Sequence, residues 1–329
     1  MNNLPAALLA DIGGTNARFA LLRDGVVEPP MVVSTADFAT LHDALLHALS
    51  SLRAPALAAV GVCAAGPPDD GVITLTNCHW DVSERTLAAT THAPRVVLVN
   101  DFTALAAALP ALTETDLKHL AGGPGRPGLS RAVIGPGTGL GMSACVPGAN
   151  GHSFITGEGG HADLAAVNAQ EELILARLRE RFGHVSAERV LSGPGLVNLY
   201  QAMHPSAVRR DETAVPHVMP WTGPAIAALA AQGEPQALAC VHQFSAWLGA
   251  VSGDFALTVG ARAGLYLTGG ILAAWGDLFP RQVFRARFIA KGRYESYLAA
   301  IPTYLITTPY PAFVGLHQLI ARSNSHSAC

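Results

Sequence analysis

The sequence predicts an α/β protein of two duplicated lobes with a cleft between them. Three observations predict it. A strand–turn–strand pattern around a glycine-threonine turn opens the chain at Asp11–Asn16. The same pattern returns in the second half at Gly135–Gly139. Each half then continues with buried apolar runs of strand length alternating with apolar periodicities of helical spacing.

The elements follow in order. Ala7–Asp11 is a short apolar run, Gly13-Gly14-Thr15-Asn16 has turn chemistry, and Arg18–Leu22 is a second run. Asp24-Gly25 marks another turn before Met31–Ser34, which makes three antiparallel strands. Phe38, Leu41, Leu45, Leu49 and Leu52 recur at steps of three and four, as in an amphipathic helix. Leu57–Cys63 and Arg95–Asn100 read as buried parallel strands, with the helix Phe102–Leu109 directly after the second. The glycine-rich stretch Gly122–Gly128 is the best candidate for a linker. Beyond it come strands at Arg131–Ile134 and Leu140–Val146, then helices at Glu171–Phe182 and Pro235–Leu257. Gly264–Thr268 is a strand ending in the turn Gly269-Gly270, Tyr304–Thr307 a last strand, and Phe313–Arg322 a closing helix.

A chain of 329 residues with 50% apolar and 14% charged residues can bury a sizeable core. A net charge of −3 gives no strong field for nucleic acid or for an anionic membrane. No apolar run reaches the length of a membrane span. The five cysteines are odd in number and none sits in a CxxC spacing, so a disulfide framework and a cysteine-rich zinc site are both disfavoured. A reducing, cytoplasmic setting is expected, since the N-terminus lacks the pattern of a secretory signal.

Five stretches carry possible chemistry. In Asp11-Ile12-Gly13-Gly14-Thr15 the glycines permit close backbone approach to an anion, and successive N–H groups can hydrogen-bond phosphate oxygens. Asp11 could hold Mg²⁺ through water. The alternative is an ordinary hairpin turn. Gly137, Thr138 and Gly139 repeat the setting, and two such loops could grip a polyphosphate from both sides. Neither is a P-loop, because no Gly-Lys-Ser or Gly-Lys-Thr occurs, and no GxGxxG opens a helix after the first strand. Asp101 in Asn100-Asp101-Phe102 closes a buried strand, where it could take a proton from a substrate hydroxyl; equally it could cap the following helix. Glu158 and His161, three apart among glycines, can converge on a small polar ligand; the alternatives are solvated charges or half of a metal site. Glu188 reads locally as a solvated glutamate at a helix start.

Taken together, these stretches resemble bacterial glucokinase of the non-repressor type. The matching segments are DIGGTNAR (Asp11–Arg18), TNCHW (Thr76–Trp80), NDF (Asn100–Phe102), GPGTGLG (Gly135–Gly141), GEGGH (Gly157–His161), HVSAERVLSGPGLVNLY (His184–Tyr200) and LTGGI (Leu267–Ile271). The resemblance implies the two-lobed fold shared with hexokinases, actin and the large heat-shock chaperones, with residues 1–111 plus about 302–329 in the small lobe and 112–301 in the large one. It implies ATP and Mg²⁺ as cofactors and glucose as substrate. Asp11, Ile12, Gly13, Gly14 and Thr15 would form the first phosphate loop, Gly137, Thr138 and Gly139 the second, and Thr268, Gly269 and Gly270 would border the adenosine. Asn100, Asp101, Glu158, His161 and Glu188 would bind glucose, with Asp101 as the catalytic base, while Asn77 would touch the sugar or shape its pocket. A homodimer is expected by the same analogy, with no nucleic-acid or membrane partner. Pro136 departs from the small residue expected there and implies a stiffer second loop. The closely spaced cysteine group of the repressor-and-kinase relatives is absent. The rival expectations are a kinase for another hexose, a catalytically silent sugar sensor on the same fold, and an actin-like filament or chaperone ATPase. The sensor has no use for Asp101, and the ATPase has none for the Glu158–His161 pair.

Overall fold

The computed structural model describes residues 6–75, 78–149, 151–205 and 221–323. In chain order the elements are β1 (Ala7–Ile12), β2 (Asn16–Arg23), β3 (Val26–Val27), β4 (Met31–Ser34), α1 (Leu41–Ser51), β5 (Ala59–Ala64), β6 (Val72–Thr74), β7 (Asp81–Ser83), α2 (Glu84–Thr91), β8 (Val96–Asn100) and α3 (Asp101–Ala108). Next come β9 (Leu117–Ala121), β10 (Arg131–Pro136), β11 (Leu140–Gly148), β12 (Gly151–Ile155), α4 (Ala169–Phe182), α5 (Gly193–Met203), α6 (Gly223–Ala231) and α7 (Pro235–Val259). The chain finishes with β13 (Gly264–Leu267), α8 (Gly270–Trp275), α9 (Arg281–Ile289), α10 (Glu295–Ala299), β14 (Thr303–Ile306) and α11 (Pro311–Ser323). They divide into two compact units: Met1–Leu117 with Ser143–Gly157 and Thr308–Cys329, and Lys118–Met142 with Glu158–Thr307.

In the first unit β1 pairs antiparallel with β2 and parallel with β5, and β5 pairs parallel with β8. The register sets Asp11 beside Cys63 and Ala64 beside Asn100. The carboxyl ends of three parallel strands therefore bring Asp11, Cys63, Asn100 and Asp101 to one edge of the sheet. Both sheet faces are covered, as the strand alternation requires. Leu8, Ala10 and Ile12 of β1 pack with Leu41 and Leu45 of α1 and with Trp80. Ala7 and Leu9, on the opposite face, pack with Phe313, Leu316 and Ile320 of α11.

In the second unit β13 pairs parallel with both β10 and β14, and β10 is bonded to β11 on its other side. Ile134 of β10 and Leu267 of β13 share one core with Leu175 of α4, Trp247 of α7 and Phe284 of α9. Glu171 of α4 is 1% exposed and accepts from Arg287 of α9 at 2.6 Å and from Gln243 of α7 at 3.0 Å. One carboxylate thus joins three helices.

Three expectations are corrected. The first helix begins at Leu41, not Phe38, because Thr40 caps it by accepting the Asp43 N–H at 3.2 Å. The Gly122–Gly128 stretch is no linker. It lies inside the second unit, where the Arg126 N–H donates to the Arg262 carbonyl at 2.9 Å and Gly122, at φ +93°, packs on the backbone of Ile301. The chain instead passes between units after Leu117, Met142, Gly157 and Thr307. The first unit therefore includes Ser143–Gly157, which the expected boundaries placed in the large lobe. Among the described residues, no helix is long and apolar enough to cross a membrane, and no group of three or more His, Cys, Asp or Glu could hold a metal ion.

Candidate active site

In the first unit the loop after β1 is closed by its own Gly13 N–H, which donates to the Asn16 carbonyl at 3.0 Å. Thr35 holds the loop from behind: its N–H donates to the Thr15 carbonyl at 3.0 Å, and its hydroxyl to the Gly14 carbonyl at 2.9 Å. The carbonyls of Gly14, Thr15 and Asn16 are satisfied by protein, while the N–H groups of Gly14 and Thr15 have no acceptor among the described residues. That polarity suits an anion.

Asp11 accepts from Arg18 Nη1 at 3.2 Å and from the Cys63 thiol at 3.7 Å. Burial raises its carboxyl above the usual value, with Arg18 and Cys63 acting in the opposite direction. The Cys63 thiol is fully buried, and burial, then Asp11 and Asp101, push it well up, so it stays protonated and donating. At the end of β8, the Asn100 carboxamide oxygen accepts from the N–H groups of Phe102 at 2.9 Å and Thr103 at 3.3 Å, and its nitrogen donates to the Gly66 carbonyl at 3.1 Å. Asn100, not Asp101, is therefore the N-cap of α3. Asp101 occupies the first turn, where the helix N-terminus favours the carboxylate and one of its oxygens accepts the Phe102 N–H at 2.9 Å.

In the second unit the loop between β10 and β11 repeats this logic. Gly137 N–H closes it on the Gly139 carbonyl at 2.8 Å, and the Gly193 N–H holds the Gly137 carbonyl at 2.8 Å. Leu140 N–H donates to Glu188 Oε2 at 2.8 Å. The N–H groups of Thr138 and Gly139 are left without a protein acceptor among the described residues. Thr268–Gly270 lies against the base of this loop. Gly135 packs so closely on Thr268 that a Cβ would stand 2.8 Å from its carbonyl oxygen, and Gly269, at φ +106°, leaves no room for a Cβ beside the Pro136 carbonyl. Pro136 is buried in β10, where its ring fixes the approach to the turn. Gly137 has no left-handed φ and faces open space.

Glu158 is exposed and precedes the short turn Gly159–His161, which the His161 N–H closes on the Glu158 carbonyl at 3.0 Å. Gly160 packs directly on the Leu140 carbonyl, with no space for a side chain. The neighbouring turn Ala187–Arg189 is tied to the first by the Ala187 N–H on the Ala162 carbonyl at 2.9 Å. His161 Nε2 and Glu188 Oε1 are 3.7 Å apart. The structure therefore groups Glu158, His161 and Glu188 with the second glycine loop, and Asn100 and Asp101 with the first. Asn77 lies outside the described residues. Sequence reasoning missed Arg18, Cys63, Thr35 and Gly193 as supports. Arg18 was findable, since it faces Asp11 across a hairpin turn whose two strands were both expected. Thr35 and Cys63 reach the site only through strand pairing that no local signal reveals.

The glucokinase family model matches residues 8–323. A glucokinase of Paramagnetospirillum magneticum is 43% identical over 95% of this chain and 97% of its own length. A protein of Burkholderia lata named bifunctional protein glk is 40% identical over 97% of this chain, which spans about half (49%) of that relative. Among solved structures, a glucokinase from an Antarctic psychrotroph is similar with 33% identity and a TM-score of 0.84, covering 97% of this chain and 99% of that one. A ROK family glucokinase from Streptomyces griseus, solved in complex with glucose and AMPPNP, shares the fold with a TM-score of 0.63, 20% identity and coverage of 95% and 98%. The two α/β units are thus those of the actin-like sugar-kinase fold. A family match running along almost the whole chain, with a relative 43% identical over 97% of its own length, gives the affiliation: the chain belongs to the glucokinase family.

Proposed function

We propose that this protein transfers the γ-phosphoryl group of ATP to the 6-hydroxyl of glucose, giving glucose 6-phosphate and ADP, the entry step of glycolysis. The observation that carries the reading is the matched polarity of the two glycine loops. Each has two of its carbonyls held by protein donors, Gly14 and Thr15 or Gly137 and Gly139, and leaves two consecutive N–H groups, Gly14 and Thr15 or Thr138 and Gly139, for an anion. Two such loops suit a polyphosphate, and the bound nucleotide of the Streptomyces griseus relative agrees. Mg²⁺ enters with ATP as part of the substrate. Asp11 fits an outer role only: its oxygens already serve Arg18 and Cys63, but a carboxylate has lone pairs left for a metal-bound water.

Asn100, Glu158, His161 and Glu188 hold the sugar hydroxyls. Asn100 keeps one amide N–H for this after its three protein bonds. Asp101 accepts the proton of the 6-hydroxyl as that oxygen bonds to the γ-phosphorus and the bond from phosphorus to the ADP oxygen breaks. Positioning and charge neutralisation supply most of the acceleration. Thr268, Gly269 and Gly270 border the adenosine. The protein works in the cytoplasm as a homodimer.

The test is ATP consumption with glucose, mannose, fructose or no sugar, with the phosphorylated carbon identified by NMR. Glucose-dependent turnover with phosphate on carbon 6 is expected. Equal ATP consumption with and without sugar overturns the reading.

A further inference from the structure

The second glycine loop is gripped at both ends by one short segment. Gly193 N–H holds the Gly137 carbonyl at 2.8 Å, and the Glu188 carboxylate holds the Leu140 N–H at the same distance. The segment is itself fixed: the Ser192 hydroxyl donates to the Glu188 carbonyl at 2.8 Å and accepts the Gly195 N–H at 3.0 Å, anchoring the first turn of α5. The carboxylate stands against Gly139, where any side chain would strike Oε2 first. Its other oxygen faces His161, 3.7 Å away. One carboxylate therefore has one oxygen on the phosphate loop and the other among the groups assigned to the sugar.

We propose that Glu188 is a positioning residue for the nucleotide as well as a sugar contact, holding the Thr138 and Gly139 N–H groups in place through its bond to Leu140 and linking sugar occupancy to the set of that loop. The inference rests on the kinase reading above. Without the Leu140 bond, the Thr138–Gly139 peptides lose their fixed end, and ordering them again falls to the incoming phosphate. A sugar hydroxyl donating to Oε1 withdraws charge from the same carboxylate that bonds the loop. Because binding couplings are reciprocal, nucleotide and sugar then alter each other's affinity through this group.

The experiment measures the affinity of Mg-ADP by calorimetry in sugar-free enzyme, together with the KM for ATP and for glucose. Glu188→Ala removes both functions. Glu188→Gln keeps an acceptor oxygen for Leu140 but loses one for the sugar. Glu188→Asp keeps the charge but withdraws it by one methylene. The expected result is weaker Mg-ADP binding by about ten-fold in Glu188→Ala and Glu188→Asp, where the bond to the Leu140 N–H is lost, and a smaller loss of about two- to three-fold in Glu188→Gln, which keeps a neutral acceptor there. The glucose KM should rise in all three. Unchanged Mg-ADP affinity in folded Glu188→Ala overturns the proposal. So does Glu188→Asp matching Glu188→Gln, which decides the matter if the alanine variant fails to fold. Failure of the kinase reading is separate, because it appears as wild-type enzyme without sugar-dependent turnover.

Discussion

At the scale of single residues, the clearest division of labour is between Asn100 and Asp101. Their order on the strand end makes Asn100 the cap of the helix and sets Asp101, the proposed base, in its first turn. Asp101→Asn preserves size and the Phe102 contact but abolishes proton acceptance. Turnover should fall by about 10²–10⁴-fold with glucose binding retained, measured as kcat beside a glucose dissociation constant. A variant keeping more than about a tenth of wild-type kcat removes Asp101 from the role of base. Two glycines of the second loop region make an opposite pair. Gly137 has ordinary φ and no neighbour within 4 Å of a built Cβ, so Gly137→Val should fold normally. Its branch would shield the Thr138 and Gly139 N–H groups, raising the ATP KM and sparing glucose binding. Gly269 combines φ +106° with contact on the Pro136 carbonyl. Gly269→Ala should destabilise the fold by about 2 kcal/mol or more, seen as a lower Tm, whatever it does to kinetics.

At the scale of elements, hairpins and buried parallel strands were legible because their signals are local: apolar runs of strand length, turn residues between them, and a helix directly after β8. Glycine density misled at Gly122–Gly128. Glycine serves close backbone packing as readily as flexibility, and only the Ile301 and Ala263 carbonyls beside Gly122 and Gly125 distinguish the two. Asp11, Asp101, Glu158 and His161 stood out as candidates from residue type and setting. Glu188 carried no local signal, because the Leu140 N–H that it holds lies 48 residues away. Among the helices, the Glu171 junction of α4, α7 and α9 predicts a pH effect. Burial alone would raise this carboxyl, but Arg287, Gln243 and the Val167 N–H outweigh it and hold it below its ordinary value. A depressed folded value contributes stability that is present above the unfolded pKa, about 4.3, and is lost as pH falls through the folded one. Glu171→Gln leaves Arg287 without its counter-charge and should cost about 3 kcal/mol at neutral pH. Thermal melts at pH 7 and pH 4 check this. The variant should start lower and fall less between the two than the wild type.

At the scale of the whole molecule, neither unit is a continuous piece of chain. The first sheet is completed by α11, whose Phe313, Leu316 and Ile320 cover the face presented by Ala7 and Leu9. The fit is close: the Ile320 side chain would stand 2.9 Å from a Cβ at Gly61, and Gly315 rests on the Ala104 carbonyl. A chain ended at Thr307 leaves that apolar face bare. It should aggregate or lose the cooperative melting of the first unit, read as a Tm against the full chain. Soluble, cooperatively folded 1–307 protein would show that α11 is dispensable.

The inward-facing carbonyls of the two glycine loops have a kinetic consequence. The peptides that present the Thr15 and Thr138 N–H groups carry the bonded carbonyls of Gly14 and Gly137, so they cannot rotate without breaking a hydrogen bond, and the anion meets donors that are waiting rather than recruited. Little rearrangement then stands between encounter and capture. Association with nucleotide should proceed at a rate set by diffusion and ionic strength, and lesions in Thr35, Gly193 or Glu188 should be read chiefly in how quickly the nucleotide leaves.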